Sequence, residues 1–455
     1  MLWHMGCKFG TKVPNIELMP ARGGHGGVNM EKEREKIEFT KVLLVGVDTG
    51  EEQDFEHSME ELASLAEADY KQVAGIVVQR MDAVNKSLYI GTGKVAEVKQ
   101  YAGQAGAEEI IFDNALSPTQ IRNLGNELEL PVLDRNNLIL DIFALRARTG
   151  EAKLQVEAAR LQYMLPRLVG MRENLSRQGG TGGSMSNRGA GETKLELDRR
   201  KIEHRISELK KELEAMEKSR ETMRKKRAQS RVPQVALVGY TNAGKSTIMN
   251  RLVESHGERK EKTVQERDML FATLDTAVRS ICAGDNKPFF LVDTVGFIDK
   301  LPSGLVKAFR STLEEVKYAD LLVHVVDFSD EHYRQQMEVT ERTLKELGAG
   351  DIPRIVVYNK ADKRGMEDIP QRRDDRIYMA AGQGCGLEEL TEMIQNILYS
   401  DRVETEFLLP FDKGNLVSYF MENATVLEQE YAEEGVRLKV SCHGNDAEKY
   451  STYRL

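Results

Sequence analysis

The octapeptide Gly239-Tyr240-Thr241-Asn242-Ala243-Gly244-Lys245-Ser246 has the spacing of a phosphate-binding loop: glycine, four residues, then Gly-Lys-Ser. In such a loop the backbone N–H groups point at phosphate oxygens, and the following helix adds the positive end of its dipole. Lys245 would reach the β- and γ-phosphates of a nucleotide, and Ser246 would hold Mg²⁺. The apolar run Val235 to Val238 leads in as a strand, and Thr247 to Leu252 leads out as a helix. A glycine-rich turn matching by chance is the alternative, and the motifs downstream weaken it.

Those motifs follow in the order that a guanine-nucleotide switch needs. The strand Pro288 to Val292 ends in Asp293-Thr294-Val295-Gly296. Asp293 would bind Mg²⁺ through water, and the Gly296 N–H would sense the γ-phosphate. Upstream, Phe271-Ala272-Thr273-Leu274 offers Thr273 as the other switch ligand to Mg²⁺, with Thr276 and Thr263 as alternatives. Lys245, Thr273 and Gly296 are thus the expected groups at the reacting phosphate. The strand Ile355 to Tyr358 ends in Asn359-Lys360-Ala361-Asp362. Asp362 can accept from guanine N1–H and its exocyclic amine, whereas adenine would leave the carboxylate unpaired. Asn359 would secure the loop or the base, and the Lys360 stem would lie over the ring. Ala380-Ala381-Gly382 stands where these proteins usually carry Ser-Ala-Lys, so only backbone contact to the guanine oxygen is expected there. Phe297 follows Gly296 where many GTPases place a water-orienting glutamine. Slow intrinsic hydrolysis, accelerated by a partner, is the expectation.

The elements that position these motifs sort into an α/β multidomain chain. A length of 455 residues exceeds a single core. Residues 1–38 lack periodicity and read as a disordered extension, with Met30 as an alternative start. Residues 39–150 read as an N-terminal α/β domain with a parallel sheet, in which Gly91-Thr92-Gly93-Lys94 is a helix-opening turn rather than a second phosphate loop. In residues 151–231, Leu154, Ala158, Leu161, Leu165 and Leu168 repeat at coiled-coil spacing, as do Ile202, Ile206, Leu209, Leu213 and Met216. An antiparallel helical hairpin with a glycine-rich basic tip follows. Residues 232–400 read as a P-loop GTPase domain with a mostly parallel sheet, and 401–455 as a small C-terminal α+β domain of strand–helix–strand pattern, with Leu408-Leu409-Pro410-Phe411 marking a boundary.

Composition narrows the partners. The net charge of −9 hides a segment, Arg167 to Arg231, with 18 Lys/Arg and 10 Asp/Glu, a local +8 that leaves −17 elsewhere. A basic segment in an acidic chain suggests a polyanion, and Arg172, Arg177, Gln178, Asn187 and Arg188 suit phosphate and ribose contacts of RNA. No apolar stretch approaches 18 residues, so no membrane span is expected; peripheral membrane association stays open. Cys7, Cys282, Cys385 and Cys442 lack metal-ligand spacing and read as reduced thiols of a cytoplasmic protein, expected to be a monomer.

Several stretches together resemble the HflX GTPases: Asp293 to Ile298 with Leu301-Pro302 and Leu305 to Glu315, Asp268 to Asp275, Gly189 to Glu196, Tyr89 to Lys94, and Asp134 to Phe143. The resemblance covers roughly residues 40–400. Thr276 departs from a common proline, and Ala380 and Gly382 depart in the base loop. The resemblance implies a Mg²⁺-dependent GTPase of the large ribosomal subunit that splits or rescues stalled ribosomes under stress such as heat, its hairpin reaching toward the peptidyl-transferase region. A large-subunit assembly GTPase and a signalling GTPase whose coiled coil binds a protein are the alternatives.

Overall fold

The first sheet is built around a strand with no wet side. β1 (Thr40–Asp48) lies between β2 (Lys71–Arg80) and β3 (Glu109–Phe112), with β4 (Val132–Asp134) beyond, all parallel. Its residues alternate as a strand must: Val42 and Leu44 enter one apolar cluster, Leu43, Val45 and Val47 another. Helices α1 (Phe55–Ala68), α2 (Thr92–Ala105), α3 (Pro118–Leu128) and α4 (Arg135–Arg146) supply the crossovers and partners for both faces. Their starts are written locally. Asp54 accepts from the His57 N–H, and Ser117 and Gln120 form a capping box with Pro118 at the first helical position. Gly91 precedes α2, and Lys94 pairs with Glu97 on that helix, so Gly91 to Lys94 opens a helix.

The computed structural model describes residues 39–50, 54–177, 188–229, 232–256, 271, 277–283, 287–300 and 314–455. The expected extension 1–38 with Met30, the hairpin residues 178–187, and Thr263, Ala272, Thr273 and Thr276 lie outside them. Among the described residues no helix is long and apolar enough to cross a membrane, and Cys282, Cys385 and Cys442 are free.

Helices α5 (Gly150–Arg177) and α6 (Arg188–Gln229) form the hairpin. Ion pairs Glu151–Arg220 at 2.5 Å and Glu157–Arg205 at 2.8 Å run in opposite order along the two helices, so the pair is antiparallel. Ile206 and Leu209 are buried, Ile202, Leu213 and Met216 half-buried, and most positions between them exposed, which is the seam that their spacing predicts. α5 has a second apolar face. Ala152, Val156 and Ala159 join the core that holds Val42, Leu62 and Phe143 of the first α/β unit. Asp134 completes the anchor. It is fully buried, caps α4 through the Asn137 N–H at 3.0 Å, accepts the Leu116 N–H at 3.0 Å, and takes the Tyr163 hydroxyl and Arg167 of α5, the latter at 3.2 Å.

The nucleotide-type sheet has the order β10-β11-β9-β8-β5-β7-β6. β5 (Gln234–Gly239) sits in its interior, between and parallel to β7 (Phe289–Asp293) and β8 (Leu321–Asp327); β9 (Arg354–Asn359) and β11 (Arg376–Tyr378) continue the parallel set. Only the edges, β6 (Ala277–Ile281) and β10 (Gln371–Arg373), run antiparallel. Helices α7 (Lys245–His256), α8 (Tyr333–Glu346) and α9 (Leu387–Leu398) flank it. One apolar cluster runs unbroken from Leu44 and Phe143 of the first unit to Val238, Val292, Phe297 and Leu344 of this one.

The last element group differs from the expected strand–helix–strand. β12 (Arg402–Leu409), α10 (Gly414–Asn423), β13 (Thr425–Ala432), β14 (Gly435–His443) and α11 (Gly444–Lys449) build an antiparallel sheet of order β12-β14-β13. Leu408-Leu409-Pro410 therefore closes a strand rather than marking a boundary. Leu409 is buried with Phe407, Phe420 and Val440. The extra strand β13 is mostly polar and exposed, so it lacks the apolar run that betrays a buried strand.

The hydroxyl of Tyr163 serves a buried carboxylate. Tyr163→Phe removes a hydrogen bond to a charged partner and is expected to lower unfolding free energy by about 1–3 kcal/mol. Urea unfolding measures it; an unchanged midpoint would remove Asp134 as the anchor of α5.

Candidate functional site

The octapeptide leaves the sheet where two strands leave it no side-chain room. Gly239 ends β5 at φ +147, and a Cβ there would stand 2.1 Å from the Val325 carbonyl oxygen. Gly244 has φ +96, and its Cβ would meet Asn359 Nδ2 at 2.2 Å. Both conditions call for glycine. α7 starts at Lys245, so the helix N-terminus opens at the loop. Around it, the carboxyl ends of β5, β7, β8 and β9 bring Gly239, Asp293, Asp327 and Asn359 to one rim, the edge where parallel sheets present ligands.

Lys245 is buried and donates from Nζ to the carbonyls of Gly239 at 3.0 Å and Tyr240 at 2.7 Å. Burial pushes its pKa down to about 8, although nearby Asp293 opposes the fall. Ser246 Oγ donates to Asp293 Oδ2 at 2.7 Å, and Asp293 has no exposure at all. A hydroxyl and a carboxylate at that spacing are hard oxygen donors of the kind Mg²⁺ takes. Thr247 follows them in the first turn of α7.

The Asp293-Thr294-Val295-Gly296 segment packs directly on the loop. A Cβ on Gly296 would lie 2.8 Å from Thr241 Cα and 3.1 Å from Lys245 Nζ. The Thr241 N–H donates to the Phe297 carbonyl at 2.8 Å, and the Phe297 N–H to the Gly239 carbonyl at 3.1 Å. The Phe297 ring itself is 3% exposed and sits in the shared core. It is a packing residue, and no side-chain polar group stands at that position to orient water.

Four residues that the sequence groups with the ligand turn their side chains elsewhere. Thr294 is buried and donates to the Leu237 carbonyl at 2.6 Å, fastening β7 to β5. Val295 is in the core. Phe271, at φ +54, packs edge-on against Phe143 with ring centroids 4.7 Å apart. Tyr240 points its hydroxyl at Glu61 of α1.

The segment Asn359 to Asp362 is built as a brace. Asn359 Nδ2 donates to the Ala243 carbonyl at 2.9 Å, and its Oδ1 accepts the Ala381 N–H at 3.0 Å. It thus secures the loops rather than reaching a base. Lys360, at φ +60, bonds the Asn242 carbonyl at 2.8 Å and Asp327 at 2.7 Å. Asp362 accepts from Gln383 Nε2 at 2.9 Å. Ala361 is buried beneath, and Ala380, Ala381 and Gly382 form the turn opposite. Asp327 and Gln383 were not singled out in the sequence. Asp327 had a signal, as the first polar residue after the strand-like run Leu321 to Val326; Gln383 had none. Arg172 and Arg177 fall in α5 and Arg188 opens α6, but their side chains, like Gln178 and Asn187 as a whole, lie outside the described residues.

Comparison with known proteins covers nearly all of this framework. Residues 56–144 match the family described as GTP-binding GTPase N-terminal, 146–227 that described as GTP-binding GTPase Middle Region, and 234–360 that described as 50S ribosome-binding GTPase. The GTPase HflX of Caldanaerobacter subterraneus subsp. tengcongensis is 43% identical over 404 residues, 88% of this chain and 91% of that protein. The GTPase HflX of Escherichia coli K12 is 39% identical over 401 residues, 87% of this chain and 91% of that protein. Among solved structures, a GTP-binding protein from the archaeon Sulfolobus solfataricus in complex with GDP is 26% identical, covers 79% of this chain and 99% of its own, and superposes with a TM-score of 0.42.

A phosphate beside Lys245 favours the ammonium form, so binding above its pKa of about 8 must take up a proton. Nucleotide affinity is expected to be level below that pH and to weaken by up to about tenfold per pH unit above it. Titration calorimetry in buffers of different ionisation enthalpy checks this; affinity that stays level well above pH 8 contradicts it.

Proposed function

This chain belongs to the HflX family of GTPases, and from that premise we propose a GTP-driven factor of the large ribosomal subunit. The observation that carries the nucleotide half is the brace at Asn359, which ties the phosphate loop through Ala243 to the loop at Ala381 while Gln383 holds Asp362. Phosphate-holding and base-reading groups are thereby kept in one frame. The ribosomal half is supported by the match of residues 234–360 to 50S ribosome-binding GTPases and by the +8 balance of Arg167 to Arg231.

Lys245 exchanges the Gly239 and Tyr240 carbonyls for the β- and γ-phosphates, whose remaining oxygens take N–H groups of the loop between Asn242 and Thr247. Ser246 and Asp293, with Thr273 as the third side chain, would hold Mg²⁺, which would supply positive charge to the nucleotide phosphates. The Gly296 N–H reads the γ-phosphate. Asp362 reads guanine N1–H and N2–H₂, the Lys360 stem covers the ring, and the backbone of Ala380 to Gly382 faces the guanine oxygen. Since Phe297 is enclosed in the core, the group that orients the attacking water comes with the bound partner. Arg172, Arg177, Gln178, Asn187 and Arg188 of the hairpin contact rRNA. GTP sets the hairpin in a ribosome-binding pose, hydrolysis releases it, and the work done in between is the splitting or rescue of stalled ribosomes.

Asp362→Asn is expected to shift preference from guanine to xanthine nucleotides, read by competition binding; unaltered GTP preference would remove Asp362 from base recognition. GTP hydrolysis by the purified protein should be slow and rise by roughly a hundredfold or more when large subunits are added. Arg177→Glu with Arg188→Glu should abolish that rise while leaving GTP affinity intact. A high rate without subunits, or a rise that survives the double change, would overturn this reading. Sedimentation separates the two ribosomal roles: a splitting factor converts whole ribosomes into subunits with GTP, an assembly factor migrates only with precursors.

A further inference from the structure

The dipeptide Asp134-Arg135, where β4 gives way to α4, faces two ways. Asp134 holds α5 through Tyr163 and Arg167. Arg135 reaches in the other direction, to Glu61 and to Asp113 Oδ1 at 2.7 Å. The other oxygen of Glu61 takes the phenol of Tyr240, the second residue of the phosphate loop. The other oxygen of Asp113 takes Lys300 Nζ at 2.7 Å and Ser58 Oγ at 2.8 Å. The circuit then closes, because the N–H of Asp299, beside Lys300, donates to the Tyr240 hydroxyl at 2.9 Å.

Burial sets the meaning of this circuit. Arg135 and Asp113 are each 1% exposed and Glu61 8%. Ion pairs so deeply buried bring little net stability over apolar residues of the same volume, so a geometric role is the better account of them. The part they constrain is the loop after Asp-x-x-Gly. Lys300 sits at φ +56, a conformation that a side-chain-bearing residue avoids unless something holds it, and Asp113 and Ser58 hold it. Four residues back along the same loop, Gly296 abuts Thr241 and Lys245. A cavity of about 240 Å³, lined by His57, Glu61, Tyr240, Lys300, Gln336 and Arg342, runs beside the circuit, so Lys300 borders open space.

We propose that Glu61 and Arg135 are positioning residues for the GTPase site: through Tyr240 and Lys300 they set the Gly296–Lys300 loop against the phosphate loop, and through Asp134 they tie that setting to the hairpin. The proposal rests on the nucleotide site assigned above. Any move of Gly296 toward a γ-phosphate carries Asp299 and Lys300 with it, and the first α/β unit feels that move through Glu61 and Asp113. The same linkage runs backward, so a hairpin held by a partner changes the preference between GTP and GDP.

The test compares full-length protein with Glu61→Gln, Tyr240→Phe and the double variant, titrated with fluorescent GDP and a non-hydrolysable GTP analogue. Each single change is expected to alter the ratio of the two affinities by roughly two- to thirtyfold. The double variant should alter it no more than the stronger single, since both cut one path. A merely structural role would weaken both nucleotides together and lower the unfolding midpoint with the ratio unchanged, and that result overturns the proposal; so does additivity in the double. If wild-type protein binds neither nucleotide, the site assignment itself falls; if it binds both and every variant keeps the ratio, only the coupling falls. Should Glu61→Gln fail to fold, Tyr240→Phe and Lys300→Gln address the same loop from its other end, and both are expected to move the ratio.

Discussion

Arg135 carries a charge into the protein interior, and much of the structure is arranged around that fact. Its guanidinium is buried between the carboxylates of Glu61 and Asp113. Burial opposes its charge, but Glu61 and Asp113 outweigh burial and hold its pKa above the ordinary value. The same logic governs Asp113, whose carboxyl burial would push up while Arg135 and Lys300 hold it below the usual range. A low-dielectric interior makes each of these groups costly alone and tightly bound when paired. The pairing partners come from α1, from the end of β3, from the phosphate loop and from the segment after Gly296. The two sheets share one core, and these charges fix how they share it.

The nucleotide site follows a related rule at smaller scale. Its donors and acceptors are engaged with one another: Lys245 with two loop carbonyls, Ser246 with Asp293, Asn359 with Ala243 and Ala381, Lys360 with Asp327. For these groups, binding exchanges one partner for another.

How much of this could be read in the sequence depended on whether the relevant spacing was local. The phosphate loop, the strand-end aspartate and Asn359 to Asp362 are short strings at strand ends, and the mostly parallel sheet around them follows from apolar runs alternating with helical patterns. The hairpin seam was legible because a coiled coil repeats its demand every few residues, as Ile202 to Met216 do. The Arg135 circuit was not legible. Glu61 and Tyr240 are 179 residues apart, Asp113 and Lys300 187, and a buried charge has no periodicity to announce it. Phe271 misled for a similar reason: its neighbours in sequence suggested a ligand, while its neighbour in space is Phe143. Gln383 holding Asp362 was hidden by the departure of Ala380 to Gly382 from the usual Ser-Ala-Lys.

The second apolar face of α5 has a mechanical consequence. That helix is fastened along Ala152, Val156 and Ala159 to the first α/β unit, so the hairpin turns when that unit turns. With 28 residues it is about 42 Å long. A tilt of about 10° at its fastened end displaces the far end by about 7 Å at that length. The hairpin is a lever: a turn of the first α/β unit reaches its far end multiplied by the length of α5.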